Sequence, residues 1–82
     1  MALATVQHQP EQQRFVLQLE GHEAVLDYQL KQNVIDFNHT FVPVEFRGKG
    51  LAEKLVKAGL SWAEQQQYTI QASCSYVQRF LN

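Results

Sequence analysis

The sequence predicts an α+β domain, and three observations carry that reading. Three short runs alternate apolar with polar residues and are separated by polar turns. A longer run then repeats apolar residues at helical spacing. A fourth alternating run follows it, so strand, helix and strand succeed one another.

Taken in order, residues 1–12 are rich in glutamine and contain Pro10. They are expected to form a flexible arm ahead of a single domain at 13–82. Phe15, Leu17 and Leu19 alternate with Arg14, Gln18 and Glu20, and Gly21 supplies a turn. Ala24, Leu26, Tyr28 and Leu30 alternate with Glu23, Asp27, Gln29 and Lys31, up to the polar turn at Lys31, Gln32 and Asn33. Ile35, Phe37, His39 and Phe41 alternate with Asp36, Asn38 and Thr40, which sets all four on one face of a third strand. Short turns between successive strands imply an antiparallel meander.

Leu51, Leu55, Ala58 and Trp62, with Ala52, Val56, Gly59 and Ala63, form the apolar face of a helix that starts at the glycines. Trp62 reads as core. Glu53, Lys54, Lys57 and Glu64 lie mostly on the other side. Residues 68–72 make a short last strand and 75–81 a terminal helical segment. The link through the helix is long enough for a right-handed crossover, so the last two strands run parallel. Phe41 and Val42, Gly48 and Gly50, and Ser73 and Cys74 then share one edge of the sheet, where open α/β sheets bind ligands. The face away from the helix also carries valines, Val16, Val25, Val34 and Val42, to be covered by 76–81 or by a partner.

The bulk properties exclude several classes. Eighty-two residues make one small domain with a limited core. A net charge of −1, with scattered arginines, gives no basis for binding nucleic acid or an anionic membrane. No run approaches the ~20 apolar residues of a membrane span, and the first residues lack the features of a signal peptide. One cysteine excludes an internal disulfide and suits a cytoplasmic protein. His8 and His22 read as surface residues. The three histidines and the cysteine have no metal-ligand spacing, so no metal is expected.

The stretch Val42-Pro43-Val44-Glu45-Phe46-Arg47-Gly48-Lys49-Gly50-Leu51-Ala52 carries the chemistry. A helix that begins on glycines offers unpaired backbone N–H groups and the positive end of its dipole to an anion. Gly48 and Gly50 let a phosphate approach the backbone, and Arg47 and Lys49 add cations. Two familiar phosphate motifs fail by spacing. The dinucleotide fingerprint needs a third glycine where Glu53 stands, and the P-loop needs Ser or Thr where Gly50 follows Lys49. Taken alone, the two glycines are equally compatible with a plain strand-to-helix turn.

The hydrophobic strand, Pro43, the Arg-Gly-x-Gly-Leu-Ala turn and the helix resemble motif A of the GNAT superfamily, the acetyl-CoA-dependent N-acetyltransferases. His39-Thr40-Phe41-Val42-Pro43 before the turn and Cys74-Ser75-Tyr76-Val77 after the last strand resemble its small stand-alone branch. The resemblance spans roughly 15–81. Glu45 departs from it, because the common motif carries Gln or Arg there. The resemblance implies a minimal GNAT-like fold with acetyl-CoA as cosubstrate. It implies that the backbone of Val42 and Val44 pairs with the pantetheine arm, and that amides from Gly48 through Lys49, Gly50 and Leu51 to Ala52 hold the pyrophosphate. It further implies a reactive Cys74 as acetyl acceptor and a Tyr76 that protonates the departing CoA thiolate.

Each candidate has a plainer reading. A lone cysteine usually packs, and Tyr76 is otherwise a core aromatic. His39 is a candidate general base, or a half-buried histidine bonded to backbone. Glu45 is a proton relay or a solvated turn carboxylate. The expected function is transfer of an acetyl group to an unidentified amine or protein acceptor, directly or through Cys74, by a monomer or weak homodimer. A non-catalytic CoA-binding or protein-interaction module is the competing reading.

Overall fold

A computed structural model describes residues 5–81. Its elements are β1 (Thr5–Gln9), β2 (Arg14–Leu19), β3 (His22–Lys31), β4 (Val34–Phe41), α1 (Leu51–Gln65), β5 (Thr69–Ala72) and α2 (Ser75–Gln78). The strands form one sheet in the order β1-β2-β3-β4-β5. Neighbours from β1 to β4 are antiparallel, and β5 lies parallel to β4. The meander, crossover helix and parallel last strand are therefore present, with one strand more than the alternation revealed.

That extra strand corrects the flexible arm expected at 1–12. Residues 1–4 lie outside the described residues, but Thr5–Gln9 pairs with β2 from Thr5↔Gln18 to Gln9↔Arg14. Its core-facing residues are Val6 and His8, so only one of the two is aliphatic. His8 does the work of a second apolar residue. Its ring stacks on Phe15 at 4.1 Å, meets Trp62 edge-on at 4.4 Å, and its Nε2 bonds the Tyr28 hydroxyl at 2.7 Å. The reading of His8 as a surface residue is corrected with it. Pro10 ends the strand in a short 3-10 turn, Pro10–Gln12.

One face of the sheet and one face of α1 make the core. Phe15, Leu17, Ala24, Leu26, Tyr28, Ile35 and Phe37 meet Leu55, Val56, Leu60 and Ala63, and Val77 of α2 joins them. Tyr76 and Phe80 pack on the same core. The segment 76–81 therefore does not cross the valine face. On that face Val16 is only 1% exposed. Arg14 and Gln18, two residues to either side, reach Asp27 at 3.5 Å and Glu23 at 3.0 Å, bracketing Val16 with polar pairs. Val34 stays more exposed, and Val42 packs on the core instead.

A bulge in β4 positions the site. Tyr28 of β3 lies opposite Phe37, but its neighbour Asp27 lies opposite His39, so Asn38 is an extra residue. An inserted residue reverses the side-chain parity beyond it. Thr40, opposite the buried Leu26, thus faces α1. His39 and Phe41 turn to the outer face and are exposed. This corrects the expectation that His39 and Phe41 project with Ile35 and Phe37.

Candidate functional site

The bulge also parts the two parallel strands. Pairing of β4 with β5 stops at Phe37↔Ala72, and Cys74 N–H still reaches the Phe37 carbonyl at 3.1 Å. Beyond that point β4 runs on to Phe41 alongside β3, while the chain after β5 turns into α2. The gap opens onto a cavity of about 490 Å³ lined by Thr40, Val42, Phe46, Gly48, Leu51 and Tyr76, among others.

The floor of the cavity follows from the turn sequence. After Pro43 a 3-10 turn, Val44–Phe46, drops Phe46 into the core, where it is 2% exposed. Phe46 N–H donates to the Pro43 carbonyl at 3.0 Å and Arg47 N–H to the Val44 carbonyl at 3.1 Å. Gly48 (φ 78°) and Gly50 (φ 71°) then take left-handed conformations that L-residues adopt only under strain. A Cβ at either would meet no atom within 4 Å. Their glycine character therefore meets the backbone geometry and leaves the space above them open, rather than relieving a crowded contact.

α1 starts at Leu51 with Gly50 as its cap, and no side chain caps the amides there. The first helical bond runs from Lys54 N–H to the Gly50 carbonyl at 3.1 Å. By helix geometry the N–H groups of Leu51, Ala52 and Glu53 have no partner within the helix. All three residues line the cavity. The Glu53 carboxylate is held by Lys57 Nζ at 2.7 Å, one turn along α1. This pairing offsets the one carboxylate on a wall otherwise suited to an anion.

Cys74 caps α2 on the far side of the gap. Its Sγ lies 3.5 Å from Thr40 Oγ1, and the thiol is partly buried. Burial alone would push its pKa up. Hydrogen bonds to the sulfur from the Thr40 hydroxyl and from the backbone of Val77, Tyr76 and Thr40 outweigh that, and the thiol pKa is lowered from its ordinary value. Asp36 anchors the turn that carries Cys74: its carboxylate accepts from Ser73 N–H at 2.8 Å and from Ser73 Oγ at 2.7 Å. Arg79 stacks its guanidinium over the Tyr76 ring at 5.8 Å.

The candidate residues separate accordingly. Val42, Arg47, Gly48, Gly50, Leu51, Ala52 and Tyr76 line the cavity. Cys74 stands behind Thr40. Val44 is 67% exposed and, like Lys49, is outside the lining. His39 is on the other face of the sheet. Glu45 lies 3.8 Å from His22 Nδ1 and also stays out of the lining. Thr40 and Phe46 carry the site without having been singled out from the sequence. A bulge leaves no mark in a two-residue alternation, so nothing there signalled that Thr40 faces inward. Among the described residues no three His, Cys, Asp or Glu side chains cluster as metal ligands, and no helix is long and apolar enough to cross a membrane.

The chain thus combines a mixed sheet, whose parallel pair parts beyond Phe37 and Ala72, with a helix that starts on a glycine beside the cavity. The GCN5-related N-acetyl-transferase family matches residues 14–82, and the chain belongs to that family. It is 34% identical over 79 residues to protein NATD1 of Bos taurus, covering 93% of this chain and 70% of that one. Protein NATD1 of Homo sapiens matches at 33% with the same coverage. The solution structure of a GCN5-like protein from Staphylococcus aureus is similar with a TM-score of 0.72 at 28% identity, covering 94% of this chain and 76% of that one. The mixed α+β architecture and the acyltransferase class of the chain rest on these findings together.

Proposed function

We propose that this domain binds acetyl-CoA in the cavity and transfers the acetyl group to an amine. The observation that carries this reading is the cavity floor. Three helix-initial residues line the cavity beside two glycines whose φ values, 78° and 71°, demand glycine and above which the space is open, and Tyr76 lines the same cavity. In this reading the amides from Gly48 to Ala52 hold the pyrophosphate, with Arg47 and Lys49 adding positive charge. The backbone of Val42 and Val44 pairs with the pantetheine arm. The thioester then lies between the parted ends of β4 and β5.

The contact of Cys74 Sγ with the cavity-lining Thr40 at 3.5 Å, together with its lowered pKa, favours a covalent route. The Cys74 thiolate bonds to the acetyl carbon, the bond from that carbon to the CoA sulfur breaks, and Tyr76 gives a proton to the leaving CoA thiolate. An amine next attacks the acetyl-cysteine, Cys74 leaves as thiolate, the amine gives its proton to solvent, and solvent reprotonates Tyr76. Oriented N–H groups around the sulfur stabilise charge as it develops. A thiol that must stay reduced suits a cytoplasmic protein.

The test has two readouts. Titration with acetyl-CoA is expected to move the amide resonances of Gly48 to Ala52. Incubation with acetyl-CoA is expected to add one acetyl mass to the parent chain and none to Cys74→Ala. Full amine acetylation by Cys74→Ala would replace the covalent route with direct transfer. Binding without acetylation of any amine in a broad panel would make the domain a CoA-binding module. No movement at the glycines would overturn the reading.

A further inference from the structure

We infer that Thr40 is a positioning residue for Cys74, holding its sulfur at the cavity edge through the side-chain hydroxyl. The inference rests on the proposed acyl-transfer reading for its chemical meaning, but its geometry stands independently. Thr40 both lines the cavity and touches the Cys74 sulfur, at 3.5 Å, whereas Cys74 is not itself part of the lining. The hydroxyl therefore stands at the point where thiol and cavity meet.

The bulge at Asn38 makes this contact. Without the extra residue, His39 would face α1 in the place where Thr40 now lies opposite Leu26. A bulge of this kind re-aims a side chain at the cost of local pairing. Here it turns the basic imidazole outward and brings a small hydroxyl in. A threonine hydroxyl both donates and accepts. It accepts from Cys74 while the thiol is protonated and donates once the thiolate forms, so the contact persists through the ionisation. Its β-branch also restricts χ1, which limits the positions the hydroxyl can take.

The backbone of Val77, Tyr76 and Thr40 also hydrogen-bonds to the sulfur. Replacing the Thr40 side chain leaves the backbone contacts in place, so its effect is separable from that of α2. Thr40→Val preserves shape and removes only the hydroxyl. Thr40→Ser preserves the hydroxyl and removes a methyl.

The experiment is the pH profile of Cys74 alkylation by iodoacetamide in the full chain. Loss of one hydrogen bond to a thiolate should move the midpoint up by about one pH unit in Thr40→Val. Thr40→Ser should keep the parent midpoint. An unchanged midpoint in Thr40→Val overturns the inference, and so does a Thr40→Ser profile that follows Thr40→Val. If Thr40→Val fails to fold, Thr40→Ala compared with Thr40→Ser decides in the same way. Acetyl-CoA titration of the parent chain is read separately: failure to bind removes the acyl-transfer reading while the alkylation midpoints still report on Thr40.

Discussion

Gly59 of α1 lies against Leu26 of β3 so closely that a Cβ on Gly59 would stand 2.8 Å from Leu26 Cδ2 and 3.1 Å from Phe37 Cε1. The helix can approach the sheet at this point only because Gly59 has no side chain. Two effects oppose each other in Gly59→Ala. Alanine is favoured in a helix interior by about 0.8–1 kcal/mol. Overpacking a filled core costs about 1–3 kcal/mol. Leu26 and Phe37 are both 0% exposed and have little room to yield, so crowding wins. Gly59→Ala is expected to lose about 1 kcal/mol in urea denaturation, and a more stable variant would refute the close-approach account.

Gly48 and Gly50 give the opposite case. Nothing crowds them, so the stability cost of Gly48→Ala or Gly50→Ala comes from the left-handed backbone alone, about 1–2 kcal/mol each. The larger effect falls on ligand affinity, because each new methyl enters the space a pyrophosphate would use. Losing one charge-assisted hydrogen bond there should weaken acetyl-CoA binding about tenfold or more. Calorimetric titration beside thermal melts separates the two. Unchanged affinity in a folded variant would mean that the phosphates lie elsewhere.

These cases mark what was legible in the sequence. The helical period from Leu51 to Ala63 located α1 and its buried face, and the order of runs gave the parallel last strand. The glycine turn was readable because left-handed backbone demands a residue type. The strand at Thr5–Gln9 was not, since a histidine ring fills a place normally held by an aliphatic side chain and glutamines mask the alternation. The bulge was invisible for a different reason. His39 and Phe41 continue the sequence pattern while the backbone has already shifted by one residue. Sequence spacing therefore pointed to His39 at the site, and pairing across the sheet put Thr40 there.

His8 makes stability depend on pH. Burial holds its pKa below the ordinary histidine value of 6.5. The folded state thus resists protonation, while the unfolded chain takes up the proton near the ordinary value. Stability from this group is fully present above about pH 6.5. It declines as pH falls through that value and levels off below the folded pKa. Protonation also places a charge between the Phe15 and Trp62 rings and leaves Nε2 only able to donate to the Tyr28 hydroxyl. Chemical denaturation between pH 8 and pH 5 is expected to show a stability loss in the parent chain that is reduced in His8→Phe. Equal slopes in both would assign the loss to other groups.

Asp36 and Ser73 connect the sheet to the turn that carries Cys74. The two hydrogen bonds from Ser73 to the Asp36 carboxylate, at 2.8 and 2.7 Å, fix the residue that precedes Cys74. Gln78 closes the same turn by donating from Nε2 to the Ala72 carbonyl at 2.8 Å. These contacts are exposed, so Asp36→Ala should cost only about 1 kcal/mol of global stability. Its local effect is larger, because Tyr76 and Val77, whose backbone hydrogen-bonds to the sulfur, follow this turn directly in α2. Faster amide exchange across 73–78 and an upward shift of the Cys74 alkylation midpoint are expected together. Asp36→Ala with faster exchange but an unmoved midpoint would show that the start of α2 contributes nothing to thiolate stability, leaving the Thr40 contacts to account for all of it.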